Sequence, residues 1–218
     1  MTIEIKLPFQ RTFEDDARHR RILRHATVAF LTHGYAGASI ENIAFDAGVS
    51  KLTLYRLFAG KLDLATAVMR ELADSLEKEL RAVDIAAPPE DWLTNFGVAY
   101  VRWMSKPLGK THHFAILRLL VEMSGPHPEV NILWIETTKK ISSTTLVEYI
   151  RTHFDSNKFA GEDADFIGNQ FLSCLYQPIY SVVVNNTVIP DPQEIRRRVR
   201  FFLRAGPHCA GRTDLARS

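Results

Sequence analysis

An all-α fold in two helical domains is predicted for this 218-residue chain by three features of its sequence. Apolar residues recur at three- and four-residue spacing along most of its length, strand-type alternation is scarce, and prolines and glycines cut the periodic stretches into helix-sized pieces. About nine helices result, grouped as a small N-terminal domain over 14–62 and a larger one over 63–205. Apolar residues at 46% and charged residues at 24% are the proportions of a soluble chain that buries its own core.

The helices follow in order. Phe13 to His33 places Ala17, Ile22, Val28, Ala29 and Leu31 at helical spacing, with Arg21, Arg24 and other basic residues opposite, and Gly34 ends it. Short helical patterns cover 39–47 and 50–58. A long one runs from Lys61 to Val83, apolar at Leu64, Val68, Leu72, Leu76 and Leu80. Pro88 and Pro89 break the chain, and caps and prolines then mark helices near 90–105, 108–124, 128–154, 161–186 and 191–205. Residues 1 to about 13, and those from Gly206 onward, lack periodicity.

Composition excludes several classes of function. Lys and Arg number 27 against 25 Asp and Glu, a net charge of +2, so a nucleic-acid surface would have to be local. Such an excess exists: residues 1–62 hold nine Lys or Arg against six acids, +3, and the remainder 18 against 19, −1. Cys174 and Cys209 have the spacing of neither a zinc site nor a disulfide framework, which fits a reducing cytoplasm. The opening MTIEIKLPFQ carries charges where an export signal needs an apolar run. Phe166 to Pro190 is uncharged, but its Asn, Gln and Pro residues suit a helix buried in protein rather than lipid, and no membrane partner is expected. No GxGxxG, GxxxxGK[ST], GxSxG or HExxH occurs, so neither catalysis nor a cofactor is expected.

The informative stretch is Ile40 to Phe58, IENIAFDAGVSKLTLYRLF. Ile43 and Ala44 form the inner face of one short helix, Ala44 being small where a second helix approaches closely. Gly48 stands where the chain reverses and a left-handed conformation is needed, and Val49 plugs the corner. Ser39 and Ser50 are N-caps, and Leu54, Leu57 and Phe58 give the second helix a buried face. Lys51, Leu52, Thr53, Tyr55 and Arg56 occupy its other side. This spacing is that of a helix-turn-helix, whose second helix enters the DNA major groove.

With those residues in place, the sequence resembles the tetracycline-repressor (TetR) type of bacterial transcriptional regulators. The resemblance runs from about Arg18 through Val68 and rests on Gly34-Tyr35, Ser39, Ile43-Ala44, Gly48-Val49-Ser50, Thr53-Leu54-Tyr55, Phe58 and Lys61. Leu52 departs, a small residue being commoner there, and Ala59-Gly60 replaces the usual proline- or lysine-bearing turn. The resemblance implies an N-terminal three-helix DNA-binding domain joined to a larger helical ligand-binding and dimerisation domain. It also implies a homodimeric repressor on a palindromic double-stranded operator, released by a small-molecule effector; a ligand-independent DNA-binding or protein-interaction module is the alternative.

Resemblance and geometry together assign roles. Lys51, Leu52 and Thr53 should reach base edges, Lys51 toward guanine acceptors and the other two toward thymine methyls. Tyr55, Arg56 and Lys61 should meet phosphates, with the Ser39 hydroxyl at a helix N-terminus. The alternative for Tyr55 is a partly buried packing ring, and for Arg18, Arg20, Arg21 and Arg24 a solvated helix face. A dimer surface is expected on the uncharged helix after Asp165, with one face at Ile167, Phe171 and Leu175 and a second at Leu172, Tyr176 and Tyr180. Resemblance would pair it with the helix around 128–153 through Ile132, Ile135, Ile141, Leu146 and Ile150. Gln177-Pro178 should kink the uncharged helix.

For an effector, Trp103, Phe114, Trp134 and Tyr176 are the candidate lining, beside Trp92, Phe96 and Tyr100, with His112, His113 or Asn169 as polar groups; each could equally be core. Adjacent His112 and His113 point to different sides of a helix and make a poor metal pair, so no metal is expected. Cys174 reads as a buried structural thiol.

Overall fold

The computed structural model describes residues 13–108, 111–154, 162–185 and 191–208. Among them are ten α-helices, one π-helical turn and a ladder of two two-residue strands. Contacts divide the chain after Val68 into two compact units.

The first unit holds α1 (Phe13–Gly37), α2 (Ile40–Asp46), α3 (Lys51–Leu57) and the start of α4 (Lys61–Arg81). Helical backbone breaks at Gly34, φ 73° and ψ 177°, where the periodicity ended, and one further turn follows it. Ile22, Leu23, Ala26, Phe30 and Leu31 of α1 are buried with Ile40, Ile43 and Ala44 of α2, Leu54 of α3, and Leu64 and Val68 of α4. Burial of the Ile, Leu, Val and Phe side chains among them, each worth about 1.5–3 kcal/mol, is what holds the short α2 and α3, seven residues each and too short to be helical alone. Ala59-Gly60 forms a workable start for α4: the Leu64 amide donates to the Gly60 carbonyl and the Ala59 amide to the Asp63 carboxylate at 2.9 Å.

The second unit holds the rest of α4, α5 (Pro89–Met104), α6 (Ala115–Met123), α7 (Pro128–Ser142), α8 (Glu148–His153), α9 (Ala164–Asn185) and α10 (Pro192–His208). Pro88 and Pro89 start α5, since a proline there forfeits an amide no helix would use. Glu90 and Asp91 favour its positive end and reach Arg196 and Arg200 of α10 at 2.8–3.4 Å. Tyr149, Trp92, Phe96, Phe171 and Phe202 make consecutive ring contacts, with centroids 3.8 to 6.3 Å apart, that tie α8, α5, α9 and α10 together. α5 passes close to α9 and α10 at Gly97, where a Cβ would lie 2.8 Å from Ile195 Cγ2.

Two elements differ from the periodicity. The helix expected from residue 108 begins only at Ala115, because Pro107 and Leu108 instead pair antiparallel with His112 and Thr111. The helix expected over 128–154 is divided by a π turn at Ser143–Val147, so α7 and α8 are counted separately. α9 runs on through Gln177 and Pro178 to Asn185. Among the described residues no helix is long and apolar enough to cross a membrane.

Candidate nucleic-acid interface

The turn between α2 and α3 is built from backbone bonds that the sequence makes possible. Gly48 has φ 61°; its amide donates to the Phe45 carbonyl and the Val49 amide to Ala44, the paired bonds that close a helix on a left-handed residue. Ser39 caps α2 by accepting from the Asn42 amide at 3.3 Å, and Ser50 caps α3 by accepting from the Thr53 amide at 3.0 Å. From α1, the Arg21 guanidinium reaches the Gly48 carbonyl at 3.4 Å.

With its ends fixed, α3 has only one way to lie. Leu54 is wholly buried, Leu57 is half-buried and Phe58, just past the helix, is stacked on His19 at 4.9 Å, so the opposite side of α3 faces out. Leu52 is 81% and Tyr55 45% exposed; Lys51 and Arg56 are exposed and Thr53 half-buried, its hydroxyl 2.9 Å from that of Ser50. Tyr55 is thus partly covered, with Lys51 over its ring. Phe45, on α2, is 83% exposed, a large apolar group that sequence patterning did not single out.

Two cations of this surface are held internally. Lys51 Nζ donates to Glu41 Oε1, 10 residues away on α2, and lies 5.9 Å from the Tyr55 ring centre. Glu41 Oε2 accepts from the Ser39 hydroxyl at 3.0 Å. The Lys51 hydrogen bond foremost, then the backbone amide of Glu41 and the Ser39 hydroxyl, pull the Glu41 carboxyl down to about 2, and the same pairing raises Lys51. Lys61, at the start of α4, donates from Nζ to the Ala36 carbonyl at 3.1 Å and lies 5.0 Å from the Tyr35 ring centre, tying α4 to the end of α1. Neither partner was named from the sequence, because contacts 10 and 25 residues apart leave no local trace.

Residues 22–68 match the family model for bacterial regulatory proteins of the tetR family. The N-terminal unit is that of the tetR family. Over 66 residues it is 39% identical to the HTH-type transcriptional activator FasR of Mycolicibacterium smegmatis (strain ATCC 700084 / mc(2)155), a match covering 30% of this chain and 30% of that curated relative's length. A solved chain from Mesorhizobium loti MAFF303099, proposed to be a TetR-family transcriptional regulator, superimposes with a TM-score of 0.73 at 20% identity, over 91% of this chain and 98% of its own. The Flavonoid-responsive Regulator FrrA superimposes with a TM-score of 0.68 at 24% identity, over 87% and 97%. At these identities the last two likenesses concern the fold.

Three of the effector candidates, Trp103, Phe114 and Trp134, are buried in the second unit. Trp103 is buried, donates its indole N–H to Ser75 Oγ at 3.1 Å and packs on the His113 ring at 4.3 Å. Phe114, at the start of α6, and Trp134, on α7, are buried as well. Trp92, stacked on Tyr149, is buried with no hydrogen-bond acceptor for its indole N–H. The Tyr176 side chain lies outside the described residues, as do those of Ile141 and Tyr180 and the whole of Cys209. An open groove of about 660 Å³ is lined by Gln193, Arg196, Arg197, Arg200, Phe201 and Arg204, none of them an effector candidate. Burial, opposed more weakly by Arg198, pushes the Cys174 thiol up.

The expected dimer faces separate into two groups. Leu146, Ile150, Ile167, Phe171, Leu172 and Leu175 are buried within their own chain, since the π turn and α8 pack directly on α9. Ile132 and Ile135 of α7 and Phe166 of α9 remain exposed.

Proposed function

We propose that this chain is a tetR-family transcriptional regulator that binds a palindromic double-stranded operator as a homodimer and represses until a small-molecule effector releases it. One observation carries the DNA reading: α3 presents Lys51, Leu52, Thr53, Tyr55 and Arg56 outward while Leu54 and Phe58 anchor it from behind. A helix so mounted has the width to enter a major groove, where Lys51 meets guanine acceptors and Leu52 meets thymine methyls. Tyr55, Arg56, Ser39 and the remaining donors of Lys61 meet phosphates and set the register.

Homodimer formation is supported by Ile132 and Ile135, three residues apart on one face of α7 and half exposed, an aliphatic pair that a partner helix can cover. Release by an effector draws on Trp103, Phe114, Trp134 and Tyr176, with the unaccepted N–H of Trp92 as a polar contact; FrrA, similar in fold, is a flavonoid-responsive regulator. Such an effector works by binding two arrangements of the dimer unequally, and about 1–3 kcal/mol of coupling changes operator affinity about 5- to 150-fold. Repression is the simplest consequence of a small dimer seated on a promoter.

Selection of fragments from sheared genomic DNA by the purified full chain, followed by sequencing, tests this. Enrichment of fragments sharing a two-fold-related motif is expected; recovery no better than from a column without protein would refute it.

A further inference from the structure

We propose that Glu41 is a specificity-determining positioning residue: its carboxylate occupies two groups of the DNA-reading surface, the Lys51 ammonium and the Ser39 hydroxyl, and yields them only to a matching site. The inference rests on the DNA-binding reading of α3. Both oxygens are committed, Oε1 to Lys51 and Oε2 to Ser39 at 3.0 Å. An acidic side chain in the first turn of α2 is ordinary on its own account, because the positive end of a helix favours it. That preference does not require the carboxylate to leave its own helix for the first residue of α3. Nor does fold stability: the two side chains are 60% and 52% exposed, and an ion pair so solvated contributes little.

The consequence for recognition follows from charge. While Lys51 stays on Glu41, the first position of α3 is close to neutral and expels no counterion from a duplex. Moving Lys51 to a phosphate of arbitrary DNA exchanges one anionic partner for another and leaves Glu41 unpaired beside a polyanion. A guanine offers Lys51 two acceptors, N7 and O6, in the groove, so only there does the exchange gain a partner of better geometry. Phe45 lies one turn beyond Glu41 on the same face of α2 and adds no competing charge.

Glu41→Gln keeps the size and the acceptor for Ser39 but gives up the charge. Binding of full-length wild type and E41Q is measured by fluorescence anisotropy across a salt series, against a duplex of random sequence and a genomic fragment selected by the wild type. Expected is a gain of about 3- to 10-fold on the random duplex, a salt slope steeper by about one unit, and a smaller gain on the selected fragment, so that discrimination falls. With Lys51→Met also present, E41Q should no longer steepen the slope. Equal gains on both duplexes with an unchanged slope, no gain at all, or a full effect of E41Q in the K51M background would each overturn the inference while leaving DNA binding intact. A wild-type chain that binds neither duplex at low salt would overturn the regulator reading and this inference with it.

Discussion

The ammonium of Lys61 donates to the carbonyl of Ala36 at 3.1 Å, so the first residue of α4 closes the end of α1. One donor is thereby used and two remain for a phosphate. Lys61→Met is expected to do two separable things. It should lower the stability of the N-terminal unit by about 0.5–1 kcal/mol through loss of this bond and of the contact over Tyr35. It should also reduce the salt slope of DNA binding by about one unit. Thermal denaturation reads the first effect and anisotropy the second; an unchanged slope would confine Lys61 to the first.

Lys51→Ala should cost about 1–3 kcal/mol on a selected operator and relax preference at one base position in each half-site, read by repeating the selection with the variant. Arg56→Ala, by contrast, should weaken all sequences alike. A selection profile for K51A identical to that of wild type would remove Lys51 from base readout.

Glu41 gives a pH signature. Its folded carboxyl titrates at about 2 instead of the usual 4.5, so the ion pair is fully present above the unfolded value and is lost only as pH falls through about 2. Between pH 5 and 8 the pair does not titrate, and DNA binding should show no midpoint attributable to it. Carboxyl-carbon NMR of selectively labelled protein should find Glu41 still ionised at pH 3.5; a midpoint at 4.5 would mean the pair does not form in solution.

Two glycines separate strain from crowding. At Gly48, φ is 61° with open space around a Cβ, so Gly48→Ala should cost about 1–2 kcal/mol from backbone strain alone and should weaken DNA binding with it. At Gly97 a Cβ would meet Ile195 at 2.8 Å and Leu175 at 3.2 Å, and Gly97→Ala should cost about 1–3 kcal/mol, less the gain of an alanine in a helix. Denaturant midpoints of both variants check this; a stabilised G97A would show that α5 and α10 are less closely packed.

Ile132→Glu combined with Ile135→Glu should convert a dimer to a monomer in sedimentation velocity without loss of helix content by circular dichroism. A dimer that persists would place the interface elsewhere.

What the sequence made legible was what depends on near neighbours. Gly48 needs a left-handed turn, Ser39 and Ser50 cap the helices that follow them, and the Leu64 to Leu80 stripe fixes one face of α4; each is a local rule, and each element formed where it was read. Pairings across the fold were not legible. Nothing in the spacing of Glu41 and Lys51, or of Ala36 and Lys61, marks them as partners, because the meeting depends on how α2 crosses α3 and where α1 ends. Periodicity likewise found an apolar face on Leu146, Ile150 and Phe171 but could not say that their own chain covers it, whereas Ile132 and Ile135 stay exposed. The β pairing at Pro107 and Leu108 left no such local trace, because a proline there equally suits the start of a helix.

Dimethyl sulfate protection on a selected operator tests most directly whether α3 lies in a major groove. Guanine N7 atoms, which face that groove, should be shielded in two sets centred about 10 base pairs apart or a multiple of that, and shielding at the innermost guanines should vanish with Lys51→Ala. Reactive guanines throughout the bound fragment, with only the minor-groove N3 of adenines shielded, would contradict it.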